Sequence, residues 1–257
     1  MEVRLDRLFR RLWIDILATV GLVFLLLAPP AWGDTEMAKI YRDSKKPESL
    51  LFQFVRTNKE NGDGTRQSRM VYSYPNGEVA VIEEAKFDAT GGLLYFERQQ
   101  NQIGEKGHIR VGSEIQFSYT RSGQDEKTDS EALAPNFLVG PMITAFVQKR
   151  WDQILSGDII ATRFGVLERL ETVGFDYQKV REEKSGGTDI IVVRMKPSSF
   201  IIAALVDPLY FSFRKSDKRL LSIRGRVIPK IKEGGKFVDL DAELVFEDPV
   251  LFKASAR

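Results

Sequence analysis

The chain contains no cysteine and a single histidine, His108. Without cysteine there is no disulfide framework, no thiolate metal site, no thiol nucleophile and no lipid-modified cysteine anchor. One imidazole cannot build a multi-histidine metal site within the chain, and a Ser-His-Asp triad would have to run through His108. A dominant charge is also lacking: 38 Lys+Arg face 36 Asp+Glu. Nothing in that balance calls for nucleic acid as a partner. The phosphate-loop, zinc-protease, nucleophile-elbow and dinucleotide signatures are all missing. What remains is binding, carrying or scaffolding, or chemistry done by carboxylates. No cofactor and no metal are expected.

Long apolar runs are scarce as well, and the exception lies at the start. Arg4, Arg7, Arg10 and Arg11 precede an uncharged stretch from Ile16 to Gly33. Its strongly apolar part, Ile16 to Ala28, is shorter than the roughly 20 residues that a bilayer span needs. Pro29-Pro30 breaks it, and Ala31-Trp32-Gly33 offers small residues at a cleavage site. This is the pattern of a secretory signal peptide. Residues 1–33 are therefore expected to be removed before Asp34, with an uncleaved inner-membrane anchor as the alternative. The expected location is the periplasm, with no membrane-spanning segment after cleavage. An exported chain without disulfides fits that compartment.

Residues 34–48 are polar and read as an N-terminal arm or short helix; residues 49–257 read as one β-rich domain. Strand signals recur from Leu50 onward. Pro75-Asn76-Gly77 and Ser185-Gly186-Gly187 mark hairpin turns, since asparagine and glycine tolerate positive φ. The charged segment from Arg121 to Pro135 reads as a loop. Beyond it the period changes: Ile143, Phe146, Val147, Trp151, Ile154 and Leu155 recur every three or four residues between Pro141 and Gly157, predicting an amphipathic helix. Phe200 to Val206, between Ser198-Ser199 and Asp207-Pro208, reads as a short helix apolar on every side, with a buried strand as the alternative. The last strands alternate apolar and polar residues, as in an antiparallel sheet with one wet face. A turn near Glu233-Gly234-Gly235 would set Arg226 opposite Asp239 and Arg224 opposite Asp241. The fold class is thus mainly β, an α+β arrangement: a large curved antiparallel sheet or open half-barrel of about a dozen strands, with two short helices packed on one face.

An export signal, a dozen antiparallel strands and helices falling between strands resemble the bacterial lipoprotein-carrier (LolA-like) superfamily. That resemblance covers roughly Ser49 to Glu247 and implies a half-barrel lidded by helices over an apolar cavity for acyl chains. Arg169-Leu170-Glu171-Thr172, Lys196-Pro197-Ser198-Ser199-Phe200 and Val206-Asp207-Pro208 also resemble uncharacterised exported bacterial proteins. Neither resemblance assigns a functional residue.

Several residues are candidates for function, each with a plainer alternative. Ile143, Phe146 and Trp151 on the first helix, with Phe200, Ile201 and Leu205 on the second, form either a lid over a ligand cavity or ordinary core. Arg194 interrupts the apolar run Ile190–Val193, so it meets a ligand head group at a cavity mouth or snorkels to solvent. His108 follows a glycine in a turn-rich stretch and reads as an exposed strand-end residue more than as a general base. Asp239, Asp241 and Glu243 share one strand face; they could gather a hard cation, but an ion-pair ladder with the facing arginines fits better. The reading that follows is an exported, non-catalytic protein binding or carrying a lipid-like ligand in a cavity under the helices. The alternative is an envelope assembly protein with a solid core and a protein partner.

Overall fold

The computed structural model describes residues 34–204 and 206–247. The signal-peptide reading of residues 1–33, the candidate residue Leu205 and the tail 248–257 lie outside the described residues. No helix among the described residues is long and apolar enough to cross a membrane.

Among the described residues, fifteen strands form one sheet. In chain order they are β1 Thr35–Tyr41, β2 Leu50–Glu60, β3 Arg66–Ser73, β4 Val79–Phe87, β5 Leu93–Gln100, β6 Glu105–Val111, β7 Glu114–Thr120, β8 Lys127–Ala132, β9 Phe137–Leu138, β10 Ile160–Val166, β11 Glu171–Ser185, β12 Thr188–Pro197, β13 Leu209–Arg214, β14 Leu220–Glu233 and β15 Lys236–Phe246. Every hydrogen-bonded neighbour is a sequence neighbour except one pair: β1 lies against β15 in the middle of the sheet. The ends of the sheet are β8 and β9, which follow each other in the chain. Laid flat, the sheet would be about 70 Å wide at ~4.8 Å per strand. The link from Ala132 to Phe137 spans less than about 20 Å at ~3.3–3.6 Å per residue. The sheet must therefore curl until its two edges nearly meet, and it does so without closing a ladder.

The curl is locked where the edges overlap. Tyr119, Phe117 and Ile109 on one side meet Phe137 and Leu167 on the other in a single buried cluster. Two glycines allow the approach. A Cβ on Gly107 would lie 3.2 Å from Leu167 Cδ2 across the overlap, and on its own side 2.6 Å from the Tyr119 ring and 2.8 Å from the Ser118 carbonyl oxygen. A Cβ on Gly165 would lie 2.8 Å from Ile109 Cδ1. The Glu131 side chain on β8 accepts a hydrogen bond from the Thr172 backbone N–H on β11, across the gap.

Between β9 and β10, which are parallel, the chain needs a crossover, and two short helices supply it. They are α1 Ile143–Lys149 and α2 Trp151–Ser156, closed by Gly157 at φ 89°. Their apolar stripe packs on β11 to β13: Ile143, Val147, Trp151 and Ile154 are buried against Tyr177, Phe211 and Phe213. The segment expected as a second apolar helix contains one short helix, α3 Phe200–Ala203, and it faces solvent instead of packing on the sheet.

Three expectations are corrected. The presumed arm contains β1, which pairs with both β2 and β15; its Ala38 and Ile40 are core, hidden in a sequence dotted with charges. The presumed loop from Arg121 to Pro135 contains β8, whose residues Lys127–Ala132 are almost wholly exposed and so show no apolar alternation. The last hairpin turns tightly on Gly234-Gly235, both at positive φ, and β14 bulges between Val227 and Ile231. The register therefore sets Arg226 opposite Asp241 and Arg224 opposite Glu243.

Candidate functional site

The predicted site residues do not come together. Ile143 and Trp151 are buried, and Phe146 packs beside them. The Phe146 ring lies 5.5 Å from Tyr177 and the Trp151 ring 5.8 Å from Phe213, both edge-on. These side chains fill the space between helix and sheet. Phe200 and Ile201 do the opposite: they are 88% and 75% exposed, on the loop between β12 and β13. With Val206, also exposed, they form an apolar tip in a segment that carries no charge from Pro197 to Val206. Arg194 sits on the face of β12 opposite Val193 and Met195, between Gln178 and Tyr210 on the flanking strands. Its guanidinium donates to Gln178 Oε1 at 3.3 Å, while its Nε is buried without a partner.

Asp239 and Asp241 are already engaged. Arg226 donates to both, at 2.6 and 3.0 Å, and Lys230 also donates to Asp239. The Lys230 hydrogen bond, against a smaller opposing effect of burial, holds the Asp239 carboxyl below its ordinary value. This is an ion-pair ladder, and no group of three His, Asp or Glu among the described residues is placed to hold a metal ion.

Inside the curl lies a charged group that sequence reasoning missed. Glu83 on β4 is 2% exposed; it accepts from Arg98 Nε at 2.9 Å and from the Tyr72 hydroxyl at 3.3 Å. Arg98 also donates to Glu168, in the turn after β10, at 2.9 Å. Burial alone would pull the Arg98 guanidinium down, but Glu83 and Glu168 together hold it above its ordinary value. Burial, then the Glu83 charge, drives the Tyr72 phenol well above its own. The signal was present in the pleat. Glu83 shares its parity with Val81, Ala85 and Phe87, and Arg98 shares its parity with Phe96.

His108 is the other residue whose setting the sequence left open. It lies on the outer face of β6, opposite Glu97 on β5 and Ser118 on β7. Its ring sits 5.8 Å from that of Tyr95, whose hydroxyl donates to Glu97. Burial, then the Glu97 hydrogen bond, pushes the Tyr95 phenol up to about 12. Ser118 Oγ is committed to Glu126. His108, Ser118 and Glu126 border a groove of about 540 Å³ over β6, β7 and β8.

No protein-family model matches the chain, and no curated protein matches it. Among solved structures, a beta-barrel-like protein of a domain of unknown function (DUF1849) from Brucella abortus is similar in outline. The match covers 83% of this chain and 96% of that one, at 9% identity and a TM-score of 0.45. The fold itself is mainly β, a curved and unclosed sheet with a few short helices.

Proposed function

We propose that the chain is an exported, non-catalytic protein of the cell envelope that engages lipid-like, apolar matter through the loop between β12 and β13. One observation carries this reading: the tip formed by Phe200, Ile201 and Val206 stands in solvent at the end of a run without charge. Burying a phenylalanine or isoleucine side chain is worth about 1.5–3 kcal/mol each. Two such side chains supply roughly millimolar-strength adhesion before other terms, which suits reversible contact with an acyl-chain surface. The expected cavity under the helices gives way to this loop because Ile143, Phe146 and Trp151 are spent on the core.

The test is co-flotation of the full chain with phosphatidylethanolamine–phosphatidylglycerol vesicles. The wild type floats with the vesicles, and Phe200→Asp and Ile201→Asp each abolish it while leaving thermal melting unchanged. Failure of the wild type to float overturns the reading. The packed core under α1 and α2 favours a second reading, docking to an envelope protein. A photocrosslinker at position 200 separates the two: lipid adducts support the first, and one reproducible protein adduct the second.

A further inference from the structure

We propose that the outer face of β5 to β8 is a saccharide-binding groove that takes a neutral or amino-bearing sugar chain. This site is separate from the apolar loop and goes beyond the reading given above.

The register builds the groove from two parallel rows. One runs Tyr95, Arg110, Gln116, Ser130 across β5 to β8; the other runs Glu97, His108, Ser118, Thr128; the β5 members stand beside the groove and the other six border it. Successive members sit on neighbouring strands, so the rows cross the strands at right angles, about 14 Å from end to end. The strands beneath are fixed by Phe96, Ile109, Ile115 and Phe117, all buried on the opposite face. The groove measures about 540 Å³ and opens broadly to solvent, which suits a chain laid along a surface.

Its chemistry selects the ligand. A sugar ring offers adjacent hydroxyls, each both donor and acceptor, and one flat face of C–H groups. Planar side chains with two neighbouring polar atoms match adjacent hydroxyls best, and the groove has them in Arg110, Gln116 and Glu126. The hydroxyls of Thr128 and Ser130 add partners that donate or accept as needed. Beside the groove on β5, the Tyr95 ring lies 5.8 Å from the His108 ring, and the Arg110 guanidinium lies over it at 5.8 Å.

Other ligand classes fit less well. Glu114 and Glu126 on this face, with Glu97 beside it, outnumber Arg110 and His108, which disfavours a polyanion. The one apolar side chain bordering the groove, Phe117, is 2% exposed and packs in the core, so an acyl chain gains little there. An added peptide strand would have to pair with β8, whose Lys127, Asp129 and Glu131 are the charges that blunt an edge.

The single histidine makes the test direct, because its imidazole signals in a proton NMR spectrum report this groove alone. Untagged full chain is titrated at fixed pH with oligomers of N-acetylglucosamine, of glucosamine and of glucose. At least one series is expected to move the His108 signals saturably. Arg110→Ala and Gln116→Ala, both at exposed positions, are expected to weaken that binding tenfold or more with thermal melting unchanged. Phe200→Asp leaves it intact, so loss of vesicle binding and loss of sugar binding are separable. No shift with any sugar, an affinity untouched by both variants, or a shift produced only by an extended peptide overturns the proposal.

Discussion

Glu83 shows what one misplaced charge demands of its surroundings. A carboxylate taken from water survives only if paired and hydrogen-bonded. Arg98 and Tyr72 supply those bonds, and Arg98 in turn reaches Glu168. Replacing Glu83 by Leu leaves a buried guanidinium with one partner. By the usual cost of breaking a buried pair, the loss is about 3–5 kcal/mol, toward the lower end because Glu168 remains. The double variant Glu83→Leu, Arg98→Leu is expected to regain part of that stability in urea denaturation. At the surface, Asp239 gives a pH-dependent counterpart. Its carboxyl is held below its ordinary 3.8 in the folded chain, first by the Lys230 hydrogen bond. A depressed folded value means the contribution is complete above the unfolded value and fades as pH falls through the folded one. Denaturation midpoints of wild type and Asp239→Asn should therefore differ by a constant amount above about pH 5 and converge below 3.8.

Among the elements, the overlap of the sheet's edges depends on residues with no side chain. At Gly107 a Cβ would meet the Tyr119 ring and, only 0.2 Å farther off, the backbone oxygen of Ser118, which cannot swing aside. Gly107→Ala is expected to cost about 1–3 kcal/mol, as overpacking does, read as a lowered urea midpoint with an unchanged slope. Legibility in the sequence followed burial. Strands with one wet face, such as β13 and β15, announce themselves by alternation, and α1–α2 by their stripe between Pro141 and Gly157. β1 did not, because its buried residues Ala38 and Ile40 are few and one is small. Nor did β8, which buries nothing and is held by its partner's backbone. The hairpin partners in β14 and β15 were recognised, but a bulge moves register without leaving a hydrophobic mark. The candidate lid was legible as apolar and illegible as exposed. Composition states what a segment is made of; only the length of the link from β12 to β13 decides whether it reaches a core.

For the whole molecule, the pairing of β1 with β15 sets the route of folding. Residues about 200 positions apart, such as Ala38 and Phe246, must meet before the middle of the sheet exists. Non-local contacts of this kind slow folding. A permuted chain opened between Pro135 and Asn136, with its former ends joined by a Gly-Ser linker, makes every hydrogen-bonded neighbour a sequence neighbour. It should refold faster in stopped-flow fluorescence while keeping the wild-type circular dichroism. Slower refolding with the same spectrum would show that the central pair is not the limiting step.

The same central pair also decides how the molecule responds to force. Glu247 N–H donates to the Met37 carbonyl oxygen at 2.8 Å, so the outer ends of β1 and β15 lie side by side. Tension applied through those ends loads the ladder one hydrogen bond at a time, as a zipper is opened, and never shears the whole row together. The fold is therefore mechanically soft along its own chain direction, and its first break falls in the middle of the sheet, between β1 and β15.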